Sequence, residues 1–155
     1  NSWITATDGN VIDYTNIRER ILEYKKLYNV KEIPLDRTFS TMLVQELEKE
    51  GLLCVDIPQT FATLTDPINL VETLLKQGKM THEPNPVARW AFGNVSVAKN
   101  GNGQIKYVKE HKGKSVVRTK RIDPMAALII SMARARFYAG LINLSAAILS
   151  DEWGM

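Results

Sequence analysis

The sequence predicts an α/β domain, on three observations. Amphipathic and apolar segments alternate through the first half in the order helix, strand, helix, strand, helix, which favours parallel pairing between the strands at 32–36 and 53–57. The second of these runs, Leu53 to Ile57, is mostly apolar, as in a strand buried on both faces. Capping and turn residues stand at the expected borders of the helical stretches. At 155 residues the chain suits one domain, 1–155. A domain of that size buries roughly 70% of its unfolded surface.

Each element has a local cause. Asp8-Gly9-Asn10 is a turn signal, and Asp13 or Thr15 caps the helix that follows. Its apolar stripe is Ile17, Ile21, Leu22, Tyr24 and Leu27, and Asn29 stops it. Glu32 to Asp36 reads as a short strand that Pro34 weakens. Ser40 caps the next helix, with Met42, Leu43, Val44 and Leu47 inward and Gly51 at its end. Thr65 or Asp66 starts a third helix, with Pro67 in its first turn, Ile68, Val71, Leu74 and Leu75 along it, and Gly78 closing it. Pro84 to Phe92 forms a short helix. Val95 to Ala98 and Ile105 to Val108 flank Asn100-Gly101-Asn102-Gly103 as a β-hairpin near 95–108. Lys109 to Lys120 reads as exposed. Ile122-Asp123-Pro124 opens a long apolar helix, and a second, amphipathic one follows it before Leu149.

Composition narrows the chemistry. The lone Cys54, in an apolar run, excludes an internal disulfide and a cysteine zinc site, and reads as a small buried hydrophobe. With only His82 and His111, a Ser/His or Cys/His centre has little support, and His82 reads as a surface residue. No Gly-Lys-Ser/Thr phosphate loop follows a strand. No charged-then-apolar leader opens the sequence. Arg134 and Arg136, within the most apolar stretch, argue against a membrane span. Trp3, Trp90 and Trp153 read as packing residues.

Two acids and one basic segment are the candidates for function, each with two readings. Asp36 stands at the C-terminal end of a parallel strand, where open α/β sheets place ligands, and also reads as a plain turn residue. Asp123 is a helix cap or a metal ligand held by a mostly buried helix. Phosphodiester hydrolysis by two divalent ions requires hard carboxylate oxygens from distant parts of a chain. The net charge is +3, unevenly spread. Lys99, Lys106, Lys109, Lys112, Lys114, Arg118, Lys120 and Arg121 stand against a single acid, Glu110. They form either a solvated hairpin or a sequence-independent contact to DNA phosphates.

Six segments, in order, resemble the C-terminal nuclease region of tailed-bacteriophage terminase large subunits. They are Gly9 to Tyr14, Ile33-Pro34-Leu35-Asp36-Arg37, Val44 to Gly51, Gln59 to Leu64, Asn85 to Trp90 with Gly93-Asn94-Val95, and Arg121 to Leu128. The resemblance spans about residues 9 to 138. It implies an RNase H-like (retroviral-integrase-like) fold, with a mixed sheet flanked by helices, lacking its first strands and first catalytic aspartate. It implies a metal-dependent endonuclease that cuts concatemeric viral DNA in the cytoplasm of an infected or lysogenic host. Asp36 and Asp123 fall on two of the acidic positions that hold Mg²⁺ or Mn²⁺ in a two-metal site. The basic hairpin falls on a DNA-facing element. The implied partners are double-stranded DNA, an ATPase domain, a small terminase subunit and the portal, with no membrane. An exposed sheet edge would invite self-association. The alternatives are a non-catalytic DNA-binding or portal-docking module, and an unrelated small-molecule enzyme marked by a deep apolar pocket.

Overall fold

The computed structural model describes residues 3–7, 13–109, 111–112, 115–116 and 120–141. Helix α1 spans Tyr14–Leu27, capped by Asp13, whose carboxylate accepts from the Thr15 N–H. Strand β1 is Ile33–Leu35, followed by a 3-10 turn at Arg37–Phe39 and by α2, Thr41–Lys49. Strand β2, Cys54–Asp56, pairs with β1 in parallel, Leu35 opposite Asp56. This is the predicted pairing. Pro34 does not break β1. The Ile33 N–H donates to Leu53 and the Ile57 N–H to the Leu35 carbonyl, so residues 33 and 35 face β2. Alternation turns Pro34, which has no N–H, to the outer edge.

Helix α3 spans Phe61–Lys76, capped by Thr60. It starts earlier than the expected Thr65 or Asp66. Pro67 lies inside it, and its side chain is among the most fully buried in the chain. Packing of this face against the rest of the core outweighs the lost hydrogen bond. Gly78, at φ +64°, closes the helix in a conformation that suits glycine. Helix α4, Pro86–Phe92, has Asn85 as cap and proline in its first turn. Strands β3, Val95–Lys99, and β4, Ile105–Lys109, form the predicted hairpin. Strands β5, His111–Lys112, and β6, Ser115–Val116, form a second small one. Helix α5 runs Asp123–Leu141. The expected second helix before Leu149 lies outside the described residues.

The strands form three two-stranded sheets among the described residues, not one mixed sheet. The cause lies in the packing of the hairpin. Tyr107 and Val95 pack with Leu64 and Val71 of α3, and the Thr65 hydroxyl bonds both the N–H and the carbonyl of Ile105. The hairpin thus seats on a helix instead of extending the parallel pair. A second cluster joins α2 to the strands through Leu43, Val44, Leu47, Leu52 and Cys54. A third joins Ile57 to Ile130 and Ala133 of α5.

Some inward expectations fail. Met42 is 74% exposed, because Leu43, Val44 and Leu47 already define the inner face of α2. Leu53 and Leu75 are exposed, and β2 is buried only at Cys54, its outer end at Asp56 opening to solvent. Trp3 and Trp90 stand partly in solvent, and Trp153 lies outside the described residues. Cys54 is buried as expected, which pushes its thiol pKa up. No helix among the described residues is long and apolar enough to cross a membrane.

Candidate active site

Asp36 and Asp56 leave the C-terminal ends of the two parallel strands side by side. Asp36 caps the 3-10 turn. Its Oδ1 accepts from the Thr38 N–H at 3.0 Å and the Thr38 hydroxyl at 2.5 Å. Its Oδ2 accepts from Gln59 Nε2 at 2.6 Å. These bonds, led by those from Thr38, hold the Asp36 carboxyl below its ordinary range, so it is a carboxylate at neutral pH. Two readings stood open for this residue, and it is indeed a turn residue. It is also an ionised oxygen donor with spare capacity. A carboxylate offers about four lone pairs, and three bonds leave one, on Oδ2. Asp56 Oδ1 accepts from the Arg37 N–H at 3.1 Å. The Ser40 hydroxyl fixes the Asp36 carbonyl at 2.8 Å.

Asp123 is exposed and is the first helical residue of α5. The Ile122 carbonyl accepts from the Met125 and Ala126 N–H groups, so Ile122 occupies the capping position. The reading of Asp123 as the helix cap therefore fails by one residue. The start of α5 is pinned twice. Ile122 is buried with Tyr107, and buried Asn94 donates from Nδ2 to the Arg121 carbonyl at 3.1 Å.

The course of α5 relates Asp123 to Asp36. Arg134 pairs with Glu32, just before β1, while Ile130, one turn earlier, packs against Ile57, just after β2. Earlier helix residues thus meet later strand residues, and α5 runs antiparallel to the strands. The helix covers roughly 16 Å between Asp123 and Arg134. The strand covers roughly 13 Å between Glu32 and Asp36. Ile130, against Ile57, is already level with the C-terminal end of the parallel pair, so Asp123, seven residues or roughly 10 Å further along α5, lies beyond that end. Among the described residues, no three histidine, cysteine or carboxylate groups converge closely enough to hold a metal ion. The donor set fits a hard divalent cation in kind, being carboxylate oxygen, and contributes part of the usual number.

The basic residues do not form one stripe. Lys99 lies opposite Ile105 and Lys109 opposite Val95, on the hairpin face that carries Tyr107. Lys106, opposite Ala98, projects from the other face, with Nζ 4.8 Å from the Phe61 ring centroid. Lys99 and Arg121 are exposed, while Lys106, Lys109 and Lys120 are half-buried. Lys112 lies on β5, and Lys114 and Arg118 fall outside the described residues.

Sequence reasoning missed Asp56, Gln59, Asn94 and Tyr107 as site residues. Asp56 was findable, as the end of the second parallel strand. Gln59 and Tyr107 carried no local signal. The buried Tyr107 hydroxyl donates to Gln59 Oε1 at 2.7 Å, and burial, reinforced by the Asp36 charge, pushes its pKa up to about 12. His82 is exposed, as expected. It lines an open cleft of about 610 Å³ with Leu75, Pro84, Pro86, Arg89 and Phe92, away from Asp36.

Comparison with known proteins gives three findings. Residues 1–138 match the family described as terminase large subunit, endonuclease domain. Protein YmfN of Escherichia coli (strain K12) is 34% identical over 135 residues, which is 87% of this chain and 29% of that protein. The crystal structure of the HK97 bacteriophage large terminase superposes with a TM-score of 0.71 at 25% identity, over 84% of this chain and 26% of that one. The chain thus spans less than a third of either relative. The structural likeness bears out the RNase H-like reading of the fold.

Proposed function

Because this chain belongs to the terminase large-subunit endonuclease family, we propose that it is a metal-dependent nuclease domain that cuts concatemeric viral DNA during packaging. The observation that carries this reading is the ionised Asp36 carboxylate at the C-terminal end of β1, the end toward which Asp123 opens α5. Asp36 and Asp123 are the proposed holders of Mg²⁺ or Mn²⁺, together with a further carboxylate. Such ions supply charge neutralisation at the attacking and leaving oxygens of a phosphodiester. The chain's own residues then do the rest. Thr38 and Gln59 keep Asp36 charged and aimed, and Asn94 fixes the entry to α5. The hairpin lysines hold duplex phosphates without reading sequence.

In the assembled packaging machine the proposed partners are double-stranded DNA, an ATPase domain, a small terminase subunit and the portal, in the cytoplasm of the phage host. Self-association through a sheet edge is proposed for the β2 side only, since Pro34 leaves the outer edge of β1 short of a donor. The test is cleavage of plasmid DNA by the intact large subunit with Mn²⁺. Asp123→Asn and Asp36→Asn each abolish cleavage while leaving the thermal unfolding transition in place. Full activity in either variant removes that residue from the site.

One observation favours a second reading, a non-catalytic DNA-binding or portal-docking module. It is that no three metal-ligating groups converge among the described residues. DNA binding by the intact subunit that survives in both variants, with no Mn²⁺-dependent cleavage in the unaltered protein, would select it.

A further inference from the structure

Three side chains from distant parts of the sequence form one hydrogen-bonded line. Tyr107 on β4 donates to Gln59 Oε1, and Gln59 Nε2 donates to Asp36 Oδ2. The polarity of this line is fixed by chemistry. An ionised carboxylate only accepts, so it must face the amide nitrogen of Gln59. The amide oxygen then faces Tyr107, whose hydroxyl must donate. Tyr107 is 8% exposed and its ring packs with Leu64, Val71, Ile122 and Ile129, so its hydroxyl has a fixed origin. Gln59 itself is exposed and has no packing reason to hold one rotamer. The two bonds supply that reason.

The line also decides which oxygen of Asp36 is available. Thr38 fills Oδ1 with two bonds. Gln59 takes one lone pair of Oδ2 and orients the other. Groups of this kind, one shell out from a metal ligand, commonly set its affinity by 10–100-fold.

We propose that Gln59, oriented by the Tyr107 hydroxyl, is a positioning residue that aims the free lone pair of Asp36 Oδ2 at the divalent cation. The inference rests on the reading of Asp36 as a metal ligand. It makes the buried face of the hairpin part of the metal site, although no hairpin atom ligates.

The test is Mn²⁺ affinity of the intact large subunit, measured by electron paramagnetic resonance without DNA. Tyr107→Phe keeps the packed ring and removes only the hydroxyl. Gln59→Leu removes both bonds at an exposed position and keeps the fold. Both weaken Mn²⁺ binding by about tenfold or more. The double variant is no weaker than Gln59→Leu alone, because Tyr107 acts only through Gln59. Asp36→Asn separates the two claims. If it leaves Mn²⁺ affinity unchanged, Asp36 is not a ligand and the function reading falls. If it abolishes binding while Gln59→Leu and Tyr107→Phe match the unaltered protein, the positioning role alone is overturned. Additive losses in the double variant also overturn it.

Discussion

Asp36 shows how one side chain meets two demands. Capping the 3-10 turn uses its Oδ1, and the same bonds keep it charged. The pH consequence has a definite sign. A carboxyl whose pKa is lowered by folding stabilises the fold above its unfolded value, near 4. That contribution is lost as pH falls through the lower, folded value. Metal affinity follows the same charge. The Asp36 share of Mn²⁺ affinity in the intact subunit should therefore depend on the bonds from Thr38. Thr38→Val removes the leading cause of the shift, so its loss of affinity begins at higher pH than in the unaltered protein; coincident profiles would refute the assignment. The position of Asp36 at a strand end was legible from sequence, because strand ends follow from local pattern. Its partners were not. Gln59 and Tyr107 meet it only through the seating of the hairpin on α3, a contact between segments far apart in the chain.

One buried contact places α5 against the strands. Helix α5 docks on the start of β1 through Glu32, whose side chain is 4% exposed. Arg134 donates to it from Nε and from Nη2, the latter at 2.9 Å, and the Tyr138 hydroxyl donates at 3.0 Å. The Arg134 bonds hold the Glu32 carboxyl below its usual range. Glu32→Gln should cost about 1.5–3 kcal/mol of unfolding free energy at neutral pH, the usual value of a hydrogen bond to a charged group. The cost should shrink in acid, as pH falls through the lowered pKa and the native carboxylate gains its proton. Urea unfolding at two pH values checks both. Within α2 the contrast between neighbours is a second check. Leu47→Ala should cost about 2–5 kcal/mol as a core truncation, and Met42→Ala within about 0.5 kcal/mol of nothing as a surface change. The hairpin, the helix cap at Asp13 and the parallel pair were legible, since each has a local signal. The start of α3 was not, because a proline inside a helix reads from sequence as one at its beginning. Met42 misled for a related reason, since an apolar residue beside the stripe cannot be told from one within it until the partner surface is known.

Over the whole molecule, charge and topology separate the two proposed activities. The acids lie toward one end of the parallel pair, and the cations follow the hairpin and the approach to α5. Nonspecific duplex binding should then be independent of the metal ligands and strongly dependent on salt. The lysines should not contribute equally. Lys99 and Lys109 share a hairpin face, whereas Lys106 faces the other way and stacks on Phe61. Lys99 and Lys109 stand at opposite ends of the hairpin, and if both reach phosphate around its packed face, each contributes about one unit to the slope of log affinity against log salt. Lys99→Ala combined with Lys109→Ala in the intact subunit should therefore lower that slope by about two, equally for unrelated duplex sequences. Lys106→Ala should leave it nearly unchanged, and so should Asp36→Asn measured without divalent ions. Fluorescence anisotropy across a salt series reads all three. A slope that falls with Lys106→Ala and not with the double variant would place DNA on the opposite face of the hairpin, away from the face that Tyr107 ties to Asp36.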